Sequence, residues 1–278
     1  MAHPDSASGH PGLGDTQRMH ALYVAPFSPW SMRARLALDA QGISYRAVHY
    51  VPTVSEPGLR WRLGDFRGRL TVPVLLPDDG PPVRESFDIA AFGAARSSRP
   101  LVTGHNRDGC ERVDALSSRA LEAGRARTTR LVYENPAALR ESLPPAVAAL
   151  GPLGRAMGRK ATWDLLRKYA AEGVTEAEAV ARLRDALLEL RAALGGREWM
   201  LGEFSYADVT GAMALGFVSP HARAPLGPAS RPLWTVATLA AEFADLVAFR
   251  DRVVDEVRRR REAWGAKAVA NSARRAPM

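Results

Sequence analysis

Strand signals stop abruptly in this chain, and that stop limits its fold more than any other feature. Short apolar runs and period-two alternation are confined to His20 through Ala95, and beyond Pro100 apolar residues recur only at helical spacing. A chain that changes period once divides into an α/β unit followed by an all-α unit. Its 278 residues exceed the usual domain of about 100 to 200, which leaves room for both.

In the first unit, Ala21 to Val24 reads as a strand and Pro29 to Gln41 as a helix. Leu36 and Ala40 share one face of that helix, and Gly42 ends it where a left-handed residue is needed. Tyr45 to Val51 alternates as a second strand, and Glu56 to Leu70 is irregular, a loop with room for a short helix. Val72 to Leu76 and Val83 to Glu85 are strands joined by the hairpin sequence Pro77-Asp78-Asp79-Gly80-Pro81, and Ser86 caps a helix through Ala95. The second unit reads as helices over Arg107–Asn135, Pro145–Ala170, Thr175–Leu194, Tyr206–Val218 and Arg231–Trp264, with Gly151-Pro152 and Gly154 interrupting the second. Thr175 with Glu178 forms a capping box ahead of the apolar stripe Val180, Leu183, Leu187, Leu190 and Leu194.

Composition narrows the function. At 46% hydrophobic and 24% charged the chain is ordinary globular protein, and no apolar run approaches the roughly 20 residues of a membrane helix. The single cysteine, Cys110, allows no internal disulfide and suggests no metal cluster, so the expected location is cytoplasmic. A net charge of +8 points at first to polyanions, but the chain has three lysines and 35 arginines, mostly interspersed with acids on helix faces. Only Arg258 to Arg261 cluster, without interleaved aromatics, so nucleic acid is not an expected partner. The expected division is a flexible leader over 1–18, domains over 19–98 and 103–266, and a flexible tail over 267–278.

Four motifs carry the chemistry: Ser28-Pro29-Trp30-Ser31 at the first helix, Thr71-Val72-Pro73-Val74-Leu75 at the third strand, Glu85-Ser86 at the third helix, and Ser205-Tyr206-Ala207-Asp208 in the helical half. Unpaired N–H groups and the positive dipole end at a helix N-terminus stabilise an anion or thiolate beside Ser28 to Ser31. Proline within a strand is tolerated where the edge faces a ligand instead of a neighbour. In this order the motifs resemble the cytosolic glutathione S-transferase superfamily over about residues 20 to 264. The resemblance implies a thioredoxin-like N-terminal domain followed by an all-helical C-terminal domain.

It further implies a cis peptide at Val72-Pro73, with Val72 offering its backbone to glutathione, and a Glu85-Ser86 pair holding the γ-glutamyl end. Ser205 and Asp208 are structural, an N-capping box of the helical core. Ser28 falls where serine-type members place the catalytic hydroxyl and other members place cysteine. Without a thiol there, thiol–disulfide exchange is not the expected reaction. A hydroxyl instead stabilises the thiolate of glutathione, the co-substrate, for attack on a hydrophobic small-molecule electrophile by conjugation, isomerisation or reductive cleavage. Tyr23 and Ser31 stand as rivals to Ser28. The family also implies a homodimer, and a non-catalytic glutathione-binding or regulatory protein on the same fold is the alternative reading. Arg67 and Arg69 have the charge to grip the glycyl carboxylate, and His221 to Pro232 reads as an ordered loop able to overhang the cleft.

Overall fold

The computed structural model describes residues 19–51, 55–169 and 173–275. The expected leader, residues 1–18, and the last three residues of the expected tail lie outside this range. Strands β1 (His20–Val24), β2 (Tyr45–His49), β3 (Val74–Leu76) and β4 (Val83–Arg84) form one sheet in the order β2-β1-β3-β4. Helix α1 (Pro29–Gln41) crosses over between the parallel pair β1 and β2. β3 and β4 add antiparallel beside β1, and α3 (Ser86–Ala94) closes the unit. This is the mixed-sheet α/β unit expected from the period pattern, in the thioredoxin-like arrangement that the resemblance implies. Alternation along β1 sorts the two faces: Leu22 and Val24 pack with Leu38, Leu75 and Ile89, while Ala21 and Tyr23 pack with Leu59, Leu70 and Val74.

Several boundaries differ from the sequence reading, each for a local reason. The stretch read as irregular holds α2 (Glu56–Leu63), closed by Gly64 at a positive φ of 63°. β3 begins at Val74 because Pro73 cannot donate to the ladder, and the Val72-Pro73 bond is cis. β4 stops at Arg84, since Glu85 turns to φ 63°. Gly42 ends α1 as expected, with φ 73°.

The remainder is helical: α4 (Arg107–Glu134), α5 (Pro136–Glu141), α6 (Pro145–Ala148), α7 (Pro152–Lys168), α8 (Glu176–Leu194), α9 (Tyr206–Met213), α10 (Ala237–Glu242) and α11 (Ala244–Arg275). Gly151, at φ 58°, splits the expected second helix into α6 and α7. The expected Arg231–Trp264 helix is a 3₁₀ turn over Arg231–Trp234, then α10, then α11. α11 continues to Arg275, into the stretch read as a tail, through a run rich in the strong helix formers Ala and Arg. The Thr175–Glu178 capping box forms as expected, and Leu183, Leu187, Leu190 and Leu194 are buried beneath it.

One buried cation joins the two units. Arg33 on α1 is fully buried and donates to Ser117 Oγ at 2.6 Å and Ser118 Oγ at 3.0 Å on α4, with Asp114 Oδ1 at 3.3 Å. Asp114 also accepts from Thr210 Oγ1 at 2.7 Å and Tyr206 Oη at 3.1 Å, which draws α9 into the same knot. Removing one partner of such a group strands the others without solvent. Arg33→Met is expected to lower unfolding free energy by about 3 kcal/mol in urea titration.

Asp208 closes the second box, accepting from Met200 N at 2.7 Å, Ser205 N at 2.7 Å and Ser205 Oγ at 3.1 Å. Burial outweighs these donors and pushes its carboxyl up to about 6 from an ordinary 3.8. A carboxyl raised on folding stabilises the chain fully below its unfolded value, and that contribution is lost as pH rises through about 6. Asp208→Asn is therefore expected to flatten the fall in stability between pH 4 and pH 7, read from urea midpoints at the two pH values.

Candidate active site

The strand register gathers three of the four motifs at one end of the sheet. Tyr23 pairs with Val74 across β1 and β3, and Val74 pairs with Arg84 across β3 and β4. The residues just past these pairs are therefore neighbours: the loop after Val24 that leads to Ser28, the Val72-Pro73 step, and Glu85-Ser86. Val72 precedes the ladder, so its N–H and C=O lie outside the pairing of β3 with β1 and β4.

Ser28 is the N-cap of α1, half-buried, with extended backbone at φ −75° and ψ 123°. Its side chain makes no capping hydrogen bond, which leaves the hydroxyl available at the positive end of the helix. The two rivals are differently placed. Ser31 is buried, and its Oγ accepts from Ala25 N at 3.1 Å, so this hydroxyl holds the loop ahead of α1 in shape. Tyr23 is also buried, in the cluster with Leu59, Leu70 and Val74 on the α2 side of the sheet.

Glu85 is the one non-glycine residue at positive φ among the described residues. Left-handed backbone at a side chain of this size costs of order 1 kcal/mol or more and collects where a site needs it. It also makes Glu85 the N-cap of α3 and Ser86 its first residue, so the expectation that Ser86 caps the helix is corrected. Ser86 is buried, and its N–H belongs to the first turn of α3, where backbone N–H groups have no partner within the helix.

The helical unit covers this end of the sheet closely. A Cβ on Gly216 would fall 2.7 Å from Pro29 Cγ, so glycine there is what lets the turn after α9 reach the start of α1. The same turn delivers Phe217, whose ring stacks on Trp234 at 4.7 Å and lies 6.3 Å from Trp30. Phe27 meets Trp234 edge-on at 6.1 Å. An aromatic wall thus brackets Ser28 on both sides in sequence. The loop carrying Trp234 is fixed by Glu141, which accepts from Ala229 N, Ser230 N and Ser230 Oγ, and by Arg231, which donates to the carbonyls of Ala222 and Ala224.

Sequence reasoning missed this wall and also Arg125 of α4, whose guanidinium lies 4.5 Å from the Trp30 ring centre and 3.5 Å from that of Tyr169. Trp30 next to Ser28-Pro29 was a readable hint; no periodicity links it to Arg125 or Phe217. Arg69, considered earlier for the glycyl carboxylate, donates to the Lys168 carbonyl at 2.7 Å and stacks 4.5 Å from the Tyr169 ring centre. Cys110 is buried and its thiol is pushed up by that burial, which suits packing and not nucleophilic chemistry. His20, Asp78 and Asp79 come within 4.8 Å of one another at the opposite end of the sheet, where His20 and Asp78 already pair at 2.7 Å.

The architecture is a thioredoxin-like sheet with a cis-proline, followed by a helical domain packed over the Ser28 end of that sheet. Residues 27–95 match the family described as glutathione S-transferase, N-terminal domain. No curated protein matches the sequence. Among solved structures, glutathione transferase GSTFuA2 from Phanerochaete chrysosporium is 17% identical, with a TM-score of 0.55 over 85% of this chain and 98% of that one. Rice GST1, crystallised in complex with glutathione, is 18% identical with a TM-score of 0.53 over 89% and 95%. Glutathione transferase Omega 3C from Trametes versicolor is 16% identical with a TM-score of 0.51 over 94% of each chain. Residues 27–95 thus match the N-terminal domain of the glutathione S-transferases, and the chain as a whole shares the fold of these solved glutathione transferases.

Proposed function

We propose that the protein is a glutathione transferase in which Ser28 activates a bound glutathione thiolate toward an apolar electrophile. The observation that carries this reading is the register, which sets the free Ser28 hydroxyl, the unpaired Val72 backbone and the strained Glu85-Ser86 step side by side. In this reading the tripeptide lies along Val72-Pro73 like an added strand, with its γ-glutamyl end at Glu85 and the Ser86 N–H. Its sulfur meets the Ser28 hydroxyl and the dipole of α1, both of which favour the anion.

The thiolate attacks an electrophile held against Trp30, Phe217 and Trp234. The chain contributes no thiol of its own to this step. Among the described residues no helix is long and apolar enough to cross a membrane, and we place the reaction in the cytoplasm. A charged-group hydrogen bond contributes about 1.5 to 3 kcal/mol. Ser28→Ala is accordingly expected to lower kcat/KM on the order of 10- to 100-fold and to raise the pKa of bound glutathione, read from thiolate absorbance. Ser31→Ala should instead lower stability while leaving the thiolate titration in place. Failure to bind glutathione in a calorimetric titration would overturn the reading altogether.

The same reading includes a homodimer. Trp61 of α2 and Phe66 beyond it are 73% and 66% exposed, and Leu150, Leu153 and Met157 at the start of α7 are exposed on the helical domain. Large apolar side chains on both domains suit a twofold pairing of one copy's N-terminal domain with the other's helical domain. Phe66→Asp is expected to shift the protein from dimer to monomer in sedimentation velocity.

A further inference from the structure

Three cations stand together beside the aromatic wall without an ion-pair partner among the described residues. Arg125 reaches from α4 between the faces of Trp30 and Tyr169; Arg69 covers Tyr169 at 4.5 Å and Lys168 lies 5.7 Å from the same ring centre. Their hydrogen bonds go to carbonyls, Arg69 to Lys168 O and Lys168 Nζ to Leu70 O at 2.6 Å. None of the three makes an ion pair among the described residues, whereas Arg60, Arg84 and Arg127 nearby in sequence are paired with Glu56, Asp65 and Glu176.

Burial lowers the affinity of Arg125 and Lys168 for their protons, and Arg69 repels each further; Glu122 and Glu56 are the acids that oppose this. Ring faces offset only part of the cost of gathering like charges. An arriving anion would offset the rest, and a guanidinium that forks toward a carboxylate is the group best shaped to receive one.

Arg125 shares the Trp30 ring with the wall that brackets Ser28, so the anion it receives belongs to the molecule lying on that wall. We propose that the electrophile is an aromatic acid, its ring against Trp30 and Phe217 and its carboxylate held by Arg125 with support from Lys168 and Arg69. This deepens the transferase reading and rests on it. With an activated aryl chloride the step balances simply: the glutathione thiolate forms the carbon–sulfur bond, the carbon–chlorine bond breaks, and chloride leaves. The neighbouring source of a carboxylate is the glycyl end of glutathione itself, and the test separates the two.

The matched probes are 4-chloro-3-nitrobenzoate and its methyl ester. The ratio of kcat/KM for acid over ester is expected to fall at least tenfold from wild type to Arg125→Met and to be largely restored in Arg125→Lys, which also shows that the position tolerates substitution. An unchanged ratio overturns the proposal, as does a rise in KM for glutathione with the acid–ester ratio intact, which would assign the cations to the glycyl end. Binding of unreactive 3-nitrobenzoate against its methyl ester, followed by quenching of tryptophan fluorescence, reads the same preference without turnover. Acid preference in binding without any conjugation would sink the transferase reading and keep the carboxylate receptor; ester and acid binding alike would sink the receptor.

Discussion

The architecture depends on a guanidinium sealed between two domains. Arg33 has no water to fall back on, so Ser117, Ser118 and Asp114 must stand where α4 presents them, and Asp114 in turn fixes Tyr206 and Thr210 of α9. Hydrophobic contact alone would let α4 slide along α1 at little cost, because apolar packing is weakly directional. A buried fork with named acceptors sets the offset between the helices. Ser28, the N-cap of α1, lies five residues before Arg33, so this offset also decides which part of the helical domain faces its hydroxyl.

Much of the scaffold was legible in the chain, for physical reasons that are local. α1 could be bounded at both ends because Pro29 at its start and Gly42 at its end each act within a turn. Thr175 and Glu178 announced α8 in the same way. The connectors of the helical half were less readable: α5 and α6 are four to six residues long, too short to show a period, and α9 tightens into a 3₁₀ turn at Ala214 without a sequence marker. The site divides along the same line. Ser28, Val72, Pro73, Glu85 and Ser86, the residues we propose for the sheet side, sit on short-range motifs that a sequence displays directly. Arg125, Phe217 and Trp234 reach the cleft from distant parts of the chain, and only tertiary packing brings them there.

The two halves of the site differ in what the polypeptide supplies. On the sheet side it offers backbone groups and one hydroxyl. Opposite, it offers rings and cations held by other rings and by carbonyls, the alternation of Trp30, Arg125, Tyr169 and Arg69. The first surface is built from short-range motifs; the second is assembled by the end of α7 and by a loop pinned through Glu141 and Arg231.

α1 is gripped at both ends by the helical domain: Gly216 lies against Pro29, and the Trp264 ring lies so close over Gly42 that a Cβ there would overlap it, with Trp264 Nε1 donating to the Ala40 carbonyl. A rod clamped at two points cannot pivot. Any swing of one domain against the other therefore has to break one of these two contacts before α1 can turn. Substitutions of the rings and cations would then change the lining of the gap while the spacing between Ser28 and the wall stays set by these two contacts.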